Sequence, residues 1–193
     1  MDERWNIERT KDERRGGPVK AEPAVSFRPL TQADLPLLHQ WITRPHVAEW
    51  WGKPASPAEI QEEYGPLVGG QSTARPYIVQ NDGAPIGFIQ SYVAMGSGDG
   101  WWPDEQDPGV RGIDQFLAHA DQLGRGLGTA MVRAFVQQLF SDPAVTRIQT
   151  DPSPKNRRAI RCYEKAGFHT VANVQTPDGP ALLMICDRVD VTR

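Results

Sequence analysis

The chain has 193 residues, a net charge of −3 and two cysteines, which suits one domain with a substantial core and is short for two. No apolar run approaches the roughly 20 residues that span a bilayer, and MDERWNIERTKDERRGG lacks an apolar signal segment, so no membrane partner is expected and the expected location is the cytoplasm. Cys162 and Cys186 stand in no metal-ligand spacing and read as reduced packing thiols, with no metal site expected.

Residues 1–24 hold six bases and six acids among few apolar side chains, a composition predicting a disordered extension before a single domain over 25–193. VSFRPL, 25–30, reads as a first strand. In TQADLPLLHQWI, Thr31 with Asp34 three residues on resembles a capping box, and Leu35, Leu38, Trp41 and Ile42 recur at helical spacing. Pro45 is expected to end that helix, leaving HVAEWWG as a short turn. SPAEIQEEY opens a second helix, with Ser56 as cap, Pro57 at the first position and Glu59 at the third.

RPYIVQ and APIGFIQSYVAM flank an Asp-Gly turn and predict a hairpin. GVRGIDQFLA is a further strand, with Val110, Ile113 and Leu117 as core positions. An amphipathic helix over TAMVRAFVQQLF, a strand over VTRIQTD and a helix over NRRAIRCYEKAGF, stopped by Gly167, follow in turn. Residues 168–174 and 181–186 are two closing strands around TPDGP. Antiparallel strands followed by strand–helix–strand–helix–strand predict an α/β (α+β) fold, a mixed and mostly antiparallel sheet with helices on both faces.

Charge is divided along the chain. Residues 81–120 contain six acids (Asp82, Asp99, Asp104, Glu105, Asp107, Asp114) and one base, Arg111; residues 121–165 contain eight bases and four acids. The first segment suits a cation and the second an anion. Within the acidic segment, GSGDGWWPDEQDPGVRGID sets Trp101 and Trp102 among carboxylates. Solubility alone has no use for those tryptophans, and a buried core has no use for the acids.

In QLGRGLGTAMV, 122–132, three glycines open directly into a helix, so that close backbone approach and free N–H groups at the positive end of a helix can bind phosphate. No Gly-Lys-Ser/Thr follows, which excludes a Walker loop, and the spacing does not fit a dinucleotide fingerprint. In DPSPKNRRAIRCYEKAGF, 151–168, Asn156 opens a helix that brings Ala159, Ile160 and Tyr163 to neighbouring turns.

The pair of a glycine-rich turn and N-xxAIxxYEKxGF resembles the GNAT acyltransferase superfamily. HVAEWWG, QSYVAMGSGDGWW, DPGVRGIDQ, IQTDPSP, AIRCYEKAGF and TPDGPA together are similar to its aminoglycoside 6'-N-acetyltransferase family. The resemblance runs from about residue 25 to the C-terminus. It implies acetyl-CoA as co-substrate, an aminoglycoside as acceptor, and direct attack with both bound, hence antibiotic resistance. Gly124, Arg125, Gly126, Leu127, Gly128 and Thr129 would hold the pyrophosphate, with Asn156 and Ala159 along the pantetheine arm. Backbone N–H groups around Phe116 and Leu117 would polarise the thioester. Leu123 departs from the Gln or Arg expected three residues before the middle glycine, a loss that backbone N–H contacts tolerate.

The same resemblance implies Asp114 as the base for the 6'-amine, Asp99 as a positioning group (or the reverse), and Tyr163 as acid for the departing sulfur. Trp50, Tyr64, Gln90, Trp101, Trp102, Asp151 and Asp178 would contact the drug. From the residues alone the better reading of Asp151 is a helix cap before Pro152, and of Asp178 a turn residue. The position after IDQ, which tunes drug preference in the family, is Phe116. Other polycationic acceptors, such as a polyamine or amino sugar, fit the same fold; a non-catalytic acyl-CoA or drug binder fits less well because Asp114 and Tyr163 are present. A nucleic-acid partner is not expected, since the acidic loop would repel it. Monomer and dimer are both open.

Overall fold

The computed structural model describes residues 23–52, 56–98 and 100–188. In chain order it runs β1 (Val25–Pro29), a 3-10 turn (Gln32–Asp34), α1 (Leu35–Ile42), α2 (Pro45–Trp51) and α3 (Pro57–Val68). The strands β2 (Arg75–Asn81), β3 (Ala84–Val93) and β4 (Val110–Leu117) follow, then α4 (Leu127–Phe140), β5 (Arg147–Thr150), α5 (Arg157–Lys165), β6 (His169–Thr176) and β7 (Gly179–Asp187). Residues 1–22 of the expected extension (1–24) and the acid Asp99 lie outside the described residues.

Local chemistry accounts for the element ends. The Asp34 carboxylate accepts the Thr31 N–H at 2.9 Å and hydroxyl at 2.6 Å, and takes both Arg28 guanidinium arms at 2.7 Å. Those bonds, the arginine's first, hold Asp34 far below the usual carboxylate range and pin the corner from β1 into α1. At α3, Ser56 and Glu59 exchange the two bonds of a capping box. HVAEWWG departs from expectation: it is helix α2, not a turn. Proline at a first helical position has no N–H to lose, so Pro45 starts a new helix from the extended Arg44.

Among the described residues, one seven-stranded sheet has the order β1-β2-β3-β4-β5-β7-β6, and only β4 and β5 run parallel. Alternate residues of each strand feed two cores. Val79, Ile89, Ile113 and Ile148 pack with Met131 and Phe135 of α4 and Tyr163 of α5; Ile78, Phe88 and Phe116 pack with Leu38, Trp41 and Ile60 beneath α1 and α3. The predicted core positions Val110, Ile113 and Leu117 are all buried.

The parallel pair creates the functional opening. β4 and β5 are in register only from Val110↔Arg147 to Gly112↔Gln149, after which β5 stops at Thr150 while β4 continues to Leu117. Beyond Gly112 the edge of β4 facing β5 has no ladder partner, and the sheet opens as a wedge.

Candidate active site

The backbone of β4 decides which groups face the wedge. Ala118 N–H bonds Ile86 O on β3 at 2.8 Å, and in an antiparallel pair alternate residues point both polar groups the same way. Asp114 and Phe116 therefore face the β3 ladder, while Gln115 and Leu117 face the open edge. The free donors are thus those of Gln115 and Leu117. The Phe116 N–H, expected as one of them, is spent in the sheet. The Phe116 ring is 8% exposed, stacked on Phe88 at 5.5 Å and met edge-on by Trp51 at 4.9 Å.

An elongated groove of about 470 Å³ runs along this edge. One wall carries Gln115, Phe116, Leu117 and, from α2, His46, Trp50 and Trp51; the other carries Gly124, Gly126, Gly128, Thr129, Asn156, Ala159 and Cys162. Gly126, at φ 87°, caps α4 without a side chain, so the N–H groups of the first helical turn stay available to an anion. Arg125 is exposed and Leu127 packs toward the core; neither side chain lines the groove. Asn156 Oδ1 caps α5 by accepting the Ala159 N–H at 3.0 Å. Arg158, Arg161 and Lys165 line the same groove, and their spacing of three and four places them on one face of α5. Sequence reasoning credited the basic segment as a whole but did not select these three, although that spacing marks them. Left-handed glycines, free helix-start N–H groups and three cations suit a diphosphate-bearing ligand such as CoA.

On the other face of the sheet, carboxylates converge. Asp114 sits in a recess where desolvation raises its pKa, an effect enhanced by the charge of Asp178 and opposed by the Gln90 amide, whose Nε2 donates to it at 2.9 Å. Asp151, desolvated and repelled by Asp114 and Asp178, is pushed up to about 7. The three acids therefore form one electrostatic cluster, although Asp178 stands in the exposed turn between β6 and β7. Tyr163 is 4% exposed, with its hydroxyl between Thr150 and Gln115 at the mouth of the wedge. Burial holds that phenol above its ordinary pKa. The gap between β4 and β5 is where the phenol from one face approaches the carboxylates of the other.

Tyr92, absent from the sequence reading, belongs to the cluster. Its hydroxyl accepts the Trp102 indole N–H at 3.0 Å and feels the charges of Asp114 and Asp151. A Cβ on Gly112 would overlap the Tyr92 ring, so the isolated strand glycine was the available signal. Trp102 has φ 49°, an unusual backbone state for a bulky residue. Tyr64, expected on the drug wall, is 1% exposed: its ring packs edge-on to Phe88 at 5.7 Å and its hydroxyl takes the Trp51 indole at 3.3 Å. Trp50 is 37% exposed and lies in the groove rather than among the acids. Trp101 and Trp102 line a separate cavity beside β6 and β7.

Residues 31–176 match the family model described as an acetyltransferase (GNAT) domain. An aminoglycoside N(6')-acetyltransferase type 1 from Klebsiella pneumoniae is 59% identical over 173 residues, covering 88% of this chain and 86% of that protein. The structure of AAC(6')-Ib with paromomycin and acetyl-CoA superposes with a TM-score of 0.85 at 58% identity, over 88% of this chain and 96% of that one. AAC(6')-Ib with coenzyme A and kanamycin gives 0.84 at 58% identity, over 88% and 98%. With an open β4 edge, a phosphate-suited turn and this degree of identity across nearly the whole described fold, the chain belongs to the aminoglycoside 6'-N-acetyltransferase family of GNAT acetyltransferases.

Proposed function

We propose that the protein transfers the acetyl group of acetyl-CoA to the 6'-amine of aminoglycoside antibiotics, by direct attack with both substrates bound, and so confers resistance. The observation that carries this reading is the wedge: an anion-suited groove on one side and a carboxylate cluster on the other meet between β4 and β5. Acetylation turns an ammonium into a neutral amide, removing both charge and donors that the drug uses at its ribosomal target.

Bound acetyl-CoA supplies an electrophilic thioester carbon and a thiol leaving group. The chain's own residues do the rest. The backbone N–H groups of Gln115 and Leu117 are aligned to donate to a carbonyl oxygen laid along β4. Asp114, its affinity for a proton raised by its recess and its orientation fixed by Gln90, takes the proton of the attacking amine; an amine attacks only when deprotonated. Tyr163, held in its protonated form, donates toward the sulfur. Asp151 and Asp178 supply negative charge for further ammonium groups. No covalent intermediate with the protein is needed.

The reading is tested by thiol release from acetyl-CoA with kanamycin, tobramycin, amikacin, gentamicin and spermidine as separate acceptors. Fast turnover with the drugs and none with spermidine is expected. Turnover with spermidine alone would move the acceptor to polyamines.

A further inference from the structure

The open edge of β4 presents the N–H and C=O groups of Gln115 and Leu117 at strand spacing. An amide-bearing arm laid along that edge pairs with it as an added strand does, donor to acceptor in turn. Such a ladder frays first where its strand ends, and β4 ends at Leu117.

The last peptide of β4 is gripped from both sides. Toward β3, Ala118 N–H bonds Ile86 O at 2.8 Å, and the two backbones approach so closely that a Cβ on Gly87 would overlap Phe116 O. Toward the open edge no strand faces Leu117 among the described residues, and His46 of α2 takes that place, with Nε2 3.1 Å from Leu117 O. A carbonyl oxygen only accepts, so Nε2 carries the hydrogen. The oxygen has two lone pairs, and one stays available to a ligand amide. Arg44, two residues earlier, holds Ala118 O at 2.6 Å and His119 Nδ1 at 3.2 Å, which fixes the bend that follows the strand. The imidazole is half-buried and lines the groove. It therefore stands in the site, not in the packing beneath it.

We propose that His46 is a positioning residue for the acyl-CoA arm. By donating to Leu117 O it holds the last peptide of β4 along the open edge, so that the arm meets a strand already aligned. This inference rests on the reading of the groove as the acyl-CoA site and assigns the alignment to one side chain. Without the bond, ordering of the strand end falls on the ligand and costs affinity. The loss falls on KM for acetyl-CoA rather than on kcat, because Asp114 is oriented independently by Gln90.

The test is direct calorimetric binding of CoA to wild type, His46→Gln and His46→Asn. The glutamine amide reaches the place of the imidazole Nε2, whereas the asparagine amide stops one bond short. CoA is expected to bind His46→Gln about as tightly as wild type and His46→Asn about three- to tenfold more weakly, the worth of one hydrogen bond. The ¹⁵N ring signals of His46 should show the Nε2–H form in the wild type, and the Leu117 carbonyl ¹³C signal should move in His46→Asn but not in His46→Gln. Equal affinity in all three proteins, or an Nδ1–H ring in the wild type, would overturn the role of His46 and leave the acetyl-transfer reading standing. Equal loss in both variants would make ring packing the requirement and overturn it as well. Should the variants fail to fold, the wild-type ring tautomer decides. A wild type that binds no CoA would sink the acetyl-CoA reading and this inference together.

Discussion

Asp114 and Asp151 share a recess but carry different loads. Asp114 is oriented by Gln90, and Asp114→Asn keeps that shape while removing the proton acceptor. Turnover is expected to fall about 10²–10⁴-fold, the usual worth of a positioned base, with CoA affinity unchanged in a direct binding measurement. Asp151 is pushed up to about 7 by burial and by the charges of Asp114 and Asp178. The folded chain therefore keeps a proton that the unfolded chain releases at ordinary carboxylate pH. Stability falls as pH rises from about 4 to about 7, and the whole cost is present above that window. Asp151→Asn should raise Tm at pH 8 by several degrees, for a gain on the order of 2 kcal/mol given that part of the carboxylate still meets solvent. The gain should shrink toward pH 4, and KM for the drug should rise. A Tm difference independent of pH would separate Asp151 from the charge cluster.

At the scale of the element, α5 presents one face to two tasks. Asn156 caps its start, Ala159 and Cys162 line the groove, and Arg158, Arg161 and Lys165 add charge along it. Arg161→Ala should weaken CoA binding about three- to tenfold at low salt, with the difference shrinking as salt screens it and KM for the drug unmoved; equal loss at all ionic strengths would mark a packing role. Much of this was legible beforehand. The caps at Thr31, Ser56 and Asn156, the Asp-Gly hairpin and the glycine-rich helix start are local signals and appear where local chemistry put them. Helix α2 was not, because a proline ends one helix and begins another with the same letter. Tyr64 was misplaced because long-range packing decides whether an aromatic reaches a cavity; at Phe116, whose side chain does line the groove, only the N–H was misassigned, because strand parity sets which donors face the open edge. Tyr92 was missed because the space it occupies is made by Gly112 on another strand.

Across the whole molecule, α2 ties the helical layer to the reactive edge of the sheet. From its start, Arg44 bonds Ala118 O at 2.6 Å and His46 bonds Leu117 O at 3.1 Å, so two successive groups at the end of β4 are set by one short helix. From its end, Trp51 meets Phe88 at 5.7 Å and Phe116 at 4.9 Å and reaches Tyr64 with its indole N–H, while adjacent Trp50 stands in the groove. Neighbouring tryptophans thus carry opposite burdens. Trp51→Ala opens the aromatic cluster beneath the helical layer and is expected to cost about 3 kcal/mol in denaturant unfolding, as large aromatic truncations in cores do. Because that cluster also seats Phe116 on β4, KM for acetyl-CoA should worsen with it. Trp50→Ala should leave the unfolding midpoint within about 0.5 kcal/mol of wild type, as exposed substitutions usually do, and alter KM alone. Equal destabilisation by both would make α2 a uniform packing helix; a stable Trp51→Ala protein would mean that the β4 edge is positioned by Arg44 and His46 without the aromatic cluster.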